Sequence, residues 1–114
     1  MSKIFNNLVG KNAEDIACKY LKNKKYKIKS RNYTIKLGEI DIIAENKDFI
    51  VFIEVKYRSS DAFGRPCEAV DSKKQYKIRR IAEQYILKHK INLIPRFDVV
   101  EVLDGEINHI EDCF

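Results

Sequence analysis

Apolar positions cluster most densely over residues 38–57, where two apolar, β-branched runs flank the polar break Glu45-Asn46-Lys47-Asp48. Such runs around a short break predict a β-hairpin. Along its second strand Phe49, Val51, Ile53, Val55 and Tyr57 fall on one face, and Ile50, Phe52, Glu54 and Lys56 on the other. Pairing symmetric about Asn46-Lys47 sets Glu39 opposite Glu54 and Asp41 opposite Phe52. Asp41, Glu54 and Lys56 then share one face, and a slip of one residue would scatter them.

Two stretches carry the helical period instead. Over residues 8–22, Ala13, Ile16, Ala17, Tyr20 and Leu21 recur at helical spacing, with Asn12 as the expected N-cap and Glu14 and Asp15 in the first turn. Over residues 72–89, Ile78, Ile81, Ala82, Tyr85 and Ile86 form the apolar stripe, and Ser72 with Gln75 forms a capping box. A first strand is expected over residues 26–32, a solvated Lys-rich edge, with a connection over residues 33–37 that ends in a glycine, Gly38, suited to a turn. Residues 57–66 lack periodicity and predict a mobile loop at the strand end nearest the acidic face, carrying Arg58 and Arg65. Strands over residues 96–102 and 107–110 flank Asp104-Gly105, a strong hairpin signal. The order is therefore α-β-β-β-α-β-β.

At 114 residues the chain suits one domain, 1–114. The run over residues 49–53 is too short to span a bilayer, and the N-terminus lacks a signal-peptide core, so a cytoplasmic protein without a membrane partner is expected. Cys18, Cys67 and Cys113 are odd in number, widely spaced and without a Cys-x-x-Cys pair, so no zinc or redox role is expected. His89 and His109 are isolated and read as structural or surface residues. A net charge of +5 suits a polyanionic partner, since Lys and Arg neutralising phosphates supply the non-specific part of nucleic-acid affinity.

An acid on one strand followed by Glu-x-Lys on the next is a pattern for metal-dependent phosphodiester cleavage. The carboxylates of Asp41 and Glu54, with the Val55 carbonyl, are the expected ligands of Mg²⁺ or Mn²⁺, hard cations that take oxygen donors. Lys56 would position the attacking water or stabilise the transition state, and would act as a base only if burial or a nearby cation lowered its pKa. The plainer reading is a solvated sheet face with alternating charges. Ile50 and Phe52 beside Glu54 argue that the face is covered, and a buried carboxylate needs a partner, a metal or a proton.

Asn32, Gly38-Glu39-Ile40-Asp41, Val51-Phe52-Ile53-Glu54-Val55-Lys56-x-Arg58, Lys74 and Arg96-Phe97-Asp98-Val99-Val100 together resemble the signature of the YraN family. These are small bacterial proteins assigned to the restriction-endonuclease-like superfamily, similar to archaeal Holliday junction resolvases. The resemblance implies an α/β fold with a central mixed five-stranded sheet flanked by helices. It also places Glu14 of the first helix beside the metal site and Lys74 in a secondary role. The superfamily motif carries Pro before its first Asp, whereas Ile40 precedes Asp41 here, and Glu39 remains a rival acid. A basic helix face of Lys73, Lys77 and Arg80, with Lys74 near the first turn and Arg58 on the loop, would contact DNA.

The expected activity is Mg²⁺-dependent hydrolysis of DNA phosphodiesters, with branched or single-stranded DNA and a homodimer implied by the resolvase resemblance. Its alternatives are an inactive nucleic-acid-binding module of the same fold and a basic adaptor for an acidic protein.

Overall fold

The structure is a computed structural model that describes residues 3–58 and 66–114. In chain order the elements are α1 (Lys3–Asn23), β1 (Lys27–Ile35), β2 (Gly38–Glu45), β3 (Phe49–Arg58), a 3₁₀ turn (Pro66–Ala69), α2 (Ser72–His89), β4 (Ile94–Leu103) and β5 (Glu106–Ile110). The five strands lie in one sheet in the order β1-β2-β3-β4-β5. β3 and β4 run parallel through the α2 crossover, and the other neighbours run antiparallel. The expected α/β architecture and element order are those of the molecule.

Alternation along β3 distributes the core between the two helices. Val51 and Ile53 pack with Ile42, Ala44 and Val100 against Ala17, Cys18 and Leu21 of α1. Ile50 and Phe52 pack with Ile43, Phe97 and Val99 against Ile78, Ile81, Ala82 and Tyr85 of α2. The helices therefore cover opposite faces, and both strand faces are apolar because neither meets water.

Several boundaries differ from the expectation. α1 starts at Lys3, so Asn12 is interior and no acid occupies the first turn. One Gly and one Asn each cost a helix interior only about 0.5–1 kcal/mol, too little to end it at Gly10 or Asn12. α2 is capped by Asp71, whose side chain accepts the Lys74 N–H at 2.8 Å, and not by Ser72. An ionised carboxylate accepts more strongly than a hydroxyl, and Gln75 turns instead to the Val70 carbonyl at 2.9 Å.

β1 does not end at Asn32 but continues to Ile35, leaving only Lys36 and Leu37 between Ile35 and its partner Gly38. Asn32 sits in this strand at φ 52°, and Gly38 follows the turn at φ 152°, a value suited to glycine. Tyr57 and Arg58 belong to β3, while most of the expected loop, with Arg65, lies outside the described residues. β4 and β5 meet at Asp104 (φ 48°) and Gly105 (φ 81°), the left-handed pair of a two-residue hairpin turn.

Cys67 and Cys113 form a disulfide, a pairing the sequence analysis did not anticipate; Cys18 is free and buried. Cysteine count and spacing carry no information on which residues the fold brings together. Among the described residues, no helix is long and apolar enough to cross a membrane.

Candidate functional site

The hairpin register differs from the symmetric one by two residues. Pairing runs from Glu45–Ile50 to Ile42–Ile53, so it centres between Lys47 and Asp48, not between Asn46 and Lys47. The cause is Asn46, whose side-chain oxygen accepts the N–H groups of Asp48 (3.0 Å) and Phe49 (2.8 Å) and fixes the turn one residue later. Two residues is one full period of a strand, so every paired side chain keeps its face. Glu39, however, is not opposite Glu54; its carboxylate instead accepts the Thr34 hydroxyl at 3.2 Å.

Past Ile42 and Ile53 no further β2–β3 pairs form, and at this divergence the Val55 N–H donates to Asp41 Oδ2 at 2.9 Å. Ile40 packs on the α2 side and Ile42 on the α1 side, although residues two apart on a regular strand share a face. β2 therefore rotates about Asp41, which aims the carboxylate at β3.

Glu54, only 3% exposed, receives Lys74 Nζ at 2.6 Å and has Lys56 Nζ at 4.0 Å, both at Oε2. Lys74 reaches it because the Asp71 cap fixes the first turn of α2 above the ends of β2 and β3. Two carboxylates and two ammonium groups thus share a half-buried corner. Burial first, and then the charge of Glu54, push the Asp41 pKa up to about 6. Burial and the neighbouring Lys74 lower that of Lys56, the condition under which its amine can take a proton. Burial opposes the charge of Lys74, but its hydrogen bond to Glu54 prevails and holds its pKa above the ordinary value.

Glu14 approaches from α1. Its Oε1 is buried without a hydrogen bond, 3.8 Å from an Arg31 guanidinium that is held at 2.8 Å by Asp15. Burial and the charge of Asp41 raise its pKa, and a hydrogen bond from Asn32 works the other way. The structure therefore brings Asp41, Glu54, Lys56 and Lys74 together, with Glu14 within electrostatic reach of Asp41. A cleft of about 440 Å³ opens beside this group, lined by Asp41, Glu54 and Lys74 together with Gly38, Glu39, Lys73 and Lys77; Lys56 and Glu14 are not among its lining residues.

Arg58 is not at this cleft: its guanidinium is bound to Glu101 at 2.9 Å. Arg80 lines the neighbouring groove. Asp98 is fully buried and held by Arg96 (2.8 Å), by His109 (2.7 Å) and by the Asp112 N–H (3.0 Å), so its role is structural. His109 also meets the Tyr20 hydroxyl at 3.1 Å, so it too is structural. Sequence reasoning gave no role to Asn32, whose contact with Glu14 depends on a left-handed residue inside a strand, or to Asp71.

Among the described residues, no three of the His, Cys, Asp and Glu side chains gather into a ready cation site. The donors present are nevertheless of the kind a hard divalent cation takes. Asp41 and Glu54 are close enough for the charge of one to raise the proton affinity of the other, and Glu14 presents a buried oxygen with no hydrogen bond. Lys74 supplies the positive charge that such a group requires.

A model of the Uncharacterised protein family UPF0102 matches residues 13–102. A UPF0102 protein of Alkaliphilus oremlandii is 52% identical over 96% of this chain and 99% of its own length. One of Clostridioides difficile is 49% identical over 96% and 98%, and one of Thermodesulfovibrio yellowstonii 46% identical over 93% and 95%.

Proposed function

Because the chain belongs to the uncharacterised family UPF0102, the YraN family its signature resembled, its chemistry has to be read from its own site, and we propose that it is a divalent-cation-dependent endonuclease that hydrolyses DNA phosphodiesters. The observation that carries this reading is the Asp41–Glu54 pair at the strand divergence, with two lysine ammonium groups beside it. A structural ion pair needs one acid and one base; a second buried acid raises the cost unless a cation or proton joins it.

In this reading Asp41 and Glu54 would hold Mg²⁺ or Mn²⁺, with the Val55 carbonyl as a further donor and Glu14 assisting. Such an ion, when bound, neutralises charge on the phosphate and acidifies water. Lys56 Nζ donates to a phosphoryl oxygen as charge develops there, or takes the proton of the attacking water. Lys74, now paired with Glu54, would be free to meet the substrate phosphate once that carboxylate had another cationic partner. Lys73 and Lys77, exposed on the cleft wall, hold the flanking backbone. Branched or single-stranded DNA is the proposed substrate; cutting both strands of a branch would require two such sites, hence a homodimer. A cytoplasmic location belongs to the same proposal.

The test is cleavage of labelled duplex, single-stranded, flap and four-way-junction DNA in Mg²⁺ or Mn²⁺, with Lys56→Ala and Asp41→Asn purified in parallel. Cleavage by the parent that both variants lose by at least about 100-fold is the expected result, the scale of losing a charge-stabilising group. DNA binding by the parent without cleavage in either metal would favour the inactive binding module. The Lys74–Glu54 ion pair, which satisfies the buried acid without a metal, is the observation on that side.

A further inference from the structure

Beside the cleft runs a second groove of about 470 Å³ between the β1–β2 turn and α2, lined by Ile35, Lys36, Leu37, Tyr76, Arg80 and Gln84. Leu37 lines both spaces, so the groove continues from the candidate active site. Its outer wall is Tyr76, 61% exposed. One helical turn on, the Arg80 guanidinium lies 6.0 Å from the centre of that ring. Leu37, also exposed, adds apolar surface on the turn side.

A large aromatic left in water costs free energy that burial would recover, and this one is bordered by cations. Lys36 and Arg80 line the groove, and Lys73 and Lys77 continue the positive wall into the cleft. Aromatic face, guanidinium plane and flanking ammonium groups form the set that holds a nucleotide: the ring stacks on the base and the cations meet its phosphates. A neutral apolar partner would leave these charges unpaired, and an acidic peptide would make no use of an open ring face.

We propose that this groove takes an unpaired nucleotide adjoining the phosphate in the active site, with its base stacked on Tyr76. The inference rests on the nuclease reading for its position and deepens it. A base inside a duplex is already stacked on both sides and cannot reach the ring, so Tyr76 selects substrates that are single-stranded next to the point of cleavage.

The chain contains no tryptophan, so Tyr76→Trp introduces a single indole at the groove, excited selectively beyond the tyrosine absorption. Binding is read in EDTA, where no cleavage competes, for a single-stranded oligonucleotide, the same strand with abasic positions, its duplex, and inorganic polyphosphate. Single-stranded DNA should quench the indole emission, while abasic strand, duplex and polyphosphate should not. In parallel, Tyr76→Ala should weaken single-strand affinity by roughly 5- to 100-fold, the range for losing one stacked base. Tyr76→Phe, which keeps the ring, should retain it.

Equal affinity of Tyr76→Ala and the parent would overturn the inference, as would equal binding of abasic and base-bearing strands or no binding at all. These readouts are separate from cleavage. A parent that cuts DNA while the Tyr76→Trp variant stays unquenched refutes the groove alone; quenching without cleavage in any metal refutes the nuclease alone.

Discussion

Asp41 has a proton affinity set by where the fold places it. Burial and Glu54 raise its pKa from 3.8 to about 6. A raised acid stabilises the fold fully below its unfolded pKa, and that stabilisation is lost as pH climbs through the folded value. Metal-free protein should therefore lose on the order of 2–3 kcal/mol between about pH 4 and 7 from this group. Glu14, also raised, acts in the same sense. Asp98 does not interfere: despite its burial, hydrogen bonds from His109 and Arg96 hold its pKa below 3.8, so its contribution is lost only in stronger acid. Melting temperatures in EDTA across this range should fall with pH in the parent and flatten in Asp41→Asn, whose amide oxygen can still accept the Val55 N–H. An unchanged slope in the variant would show that Asp41 is already ionised at low pH. At this scale the site was partly legible. Strand periodicity alone puts Glu54 and Lys56 on one face, whereas Asp41 meets them through the rotation of β2 at the strand divergence and Asn32 meets Glu14 through an irregular backbone angle, neither of which periodicity encodes.

Elements were more legible than their ends. The hairpin turn was displaced by one residue, because the Asn46 side chain caps the chain in a way that hydrophobic counting does not register. The displacement changed every pairing but kept the facing of the paired residues; the acids meet because β2 then rotates about Asp41. Helix starts carry the sharper lesson, since Asp71 and Ser72 are adjacent residues that both suit an N-cap, and only geometry separates them. Asp71→Ala should cost about 1 kcal/mol, and Ser72→Ala, inside the first turn, much less. Because Asp71 fixes the turn that carries Lys74, its loss should also loosen the Lys74–Glu54 contact. Urea denaturation of the two variants discriminates the assignments; a larger loss for Ser72→Ala would restore the capping box as the helix start.

Across the whole molecule, periods of two and 3.6 residues were enough to order α1, three strands, α2 and two strands, since each element buries one or two apolar faces against the same sheet. The disulfide was not legible, because nothing in three scattered cysteines says that the 3₁₀ turn after β3 comes to lie against the chain end beyond β5. Cys67 and Cys113 are 46 residues apart, and the loop they close contains α2, β4 and β5. The crosslink restricts the unfolded chain, and for a loop of this size the restriction is worth about 4 kcal/mol in the chain-entropy model. It also tethers the start of α2, which carries Lys74, to the chain beyond β5, so it limits how far this helix can separate from the sheet in partial unfolding. Replacing both cysteines by serine should lower the unfolding free energy by about 2–4 kcal/mol, and a reducing agent should do the same to the parent while leaving the double variant unchanged. Urea titrations with and without reductant read both effects, and a parent indifferent to reductant would mean that the two thiols are not joined in solution.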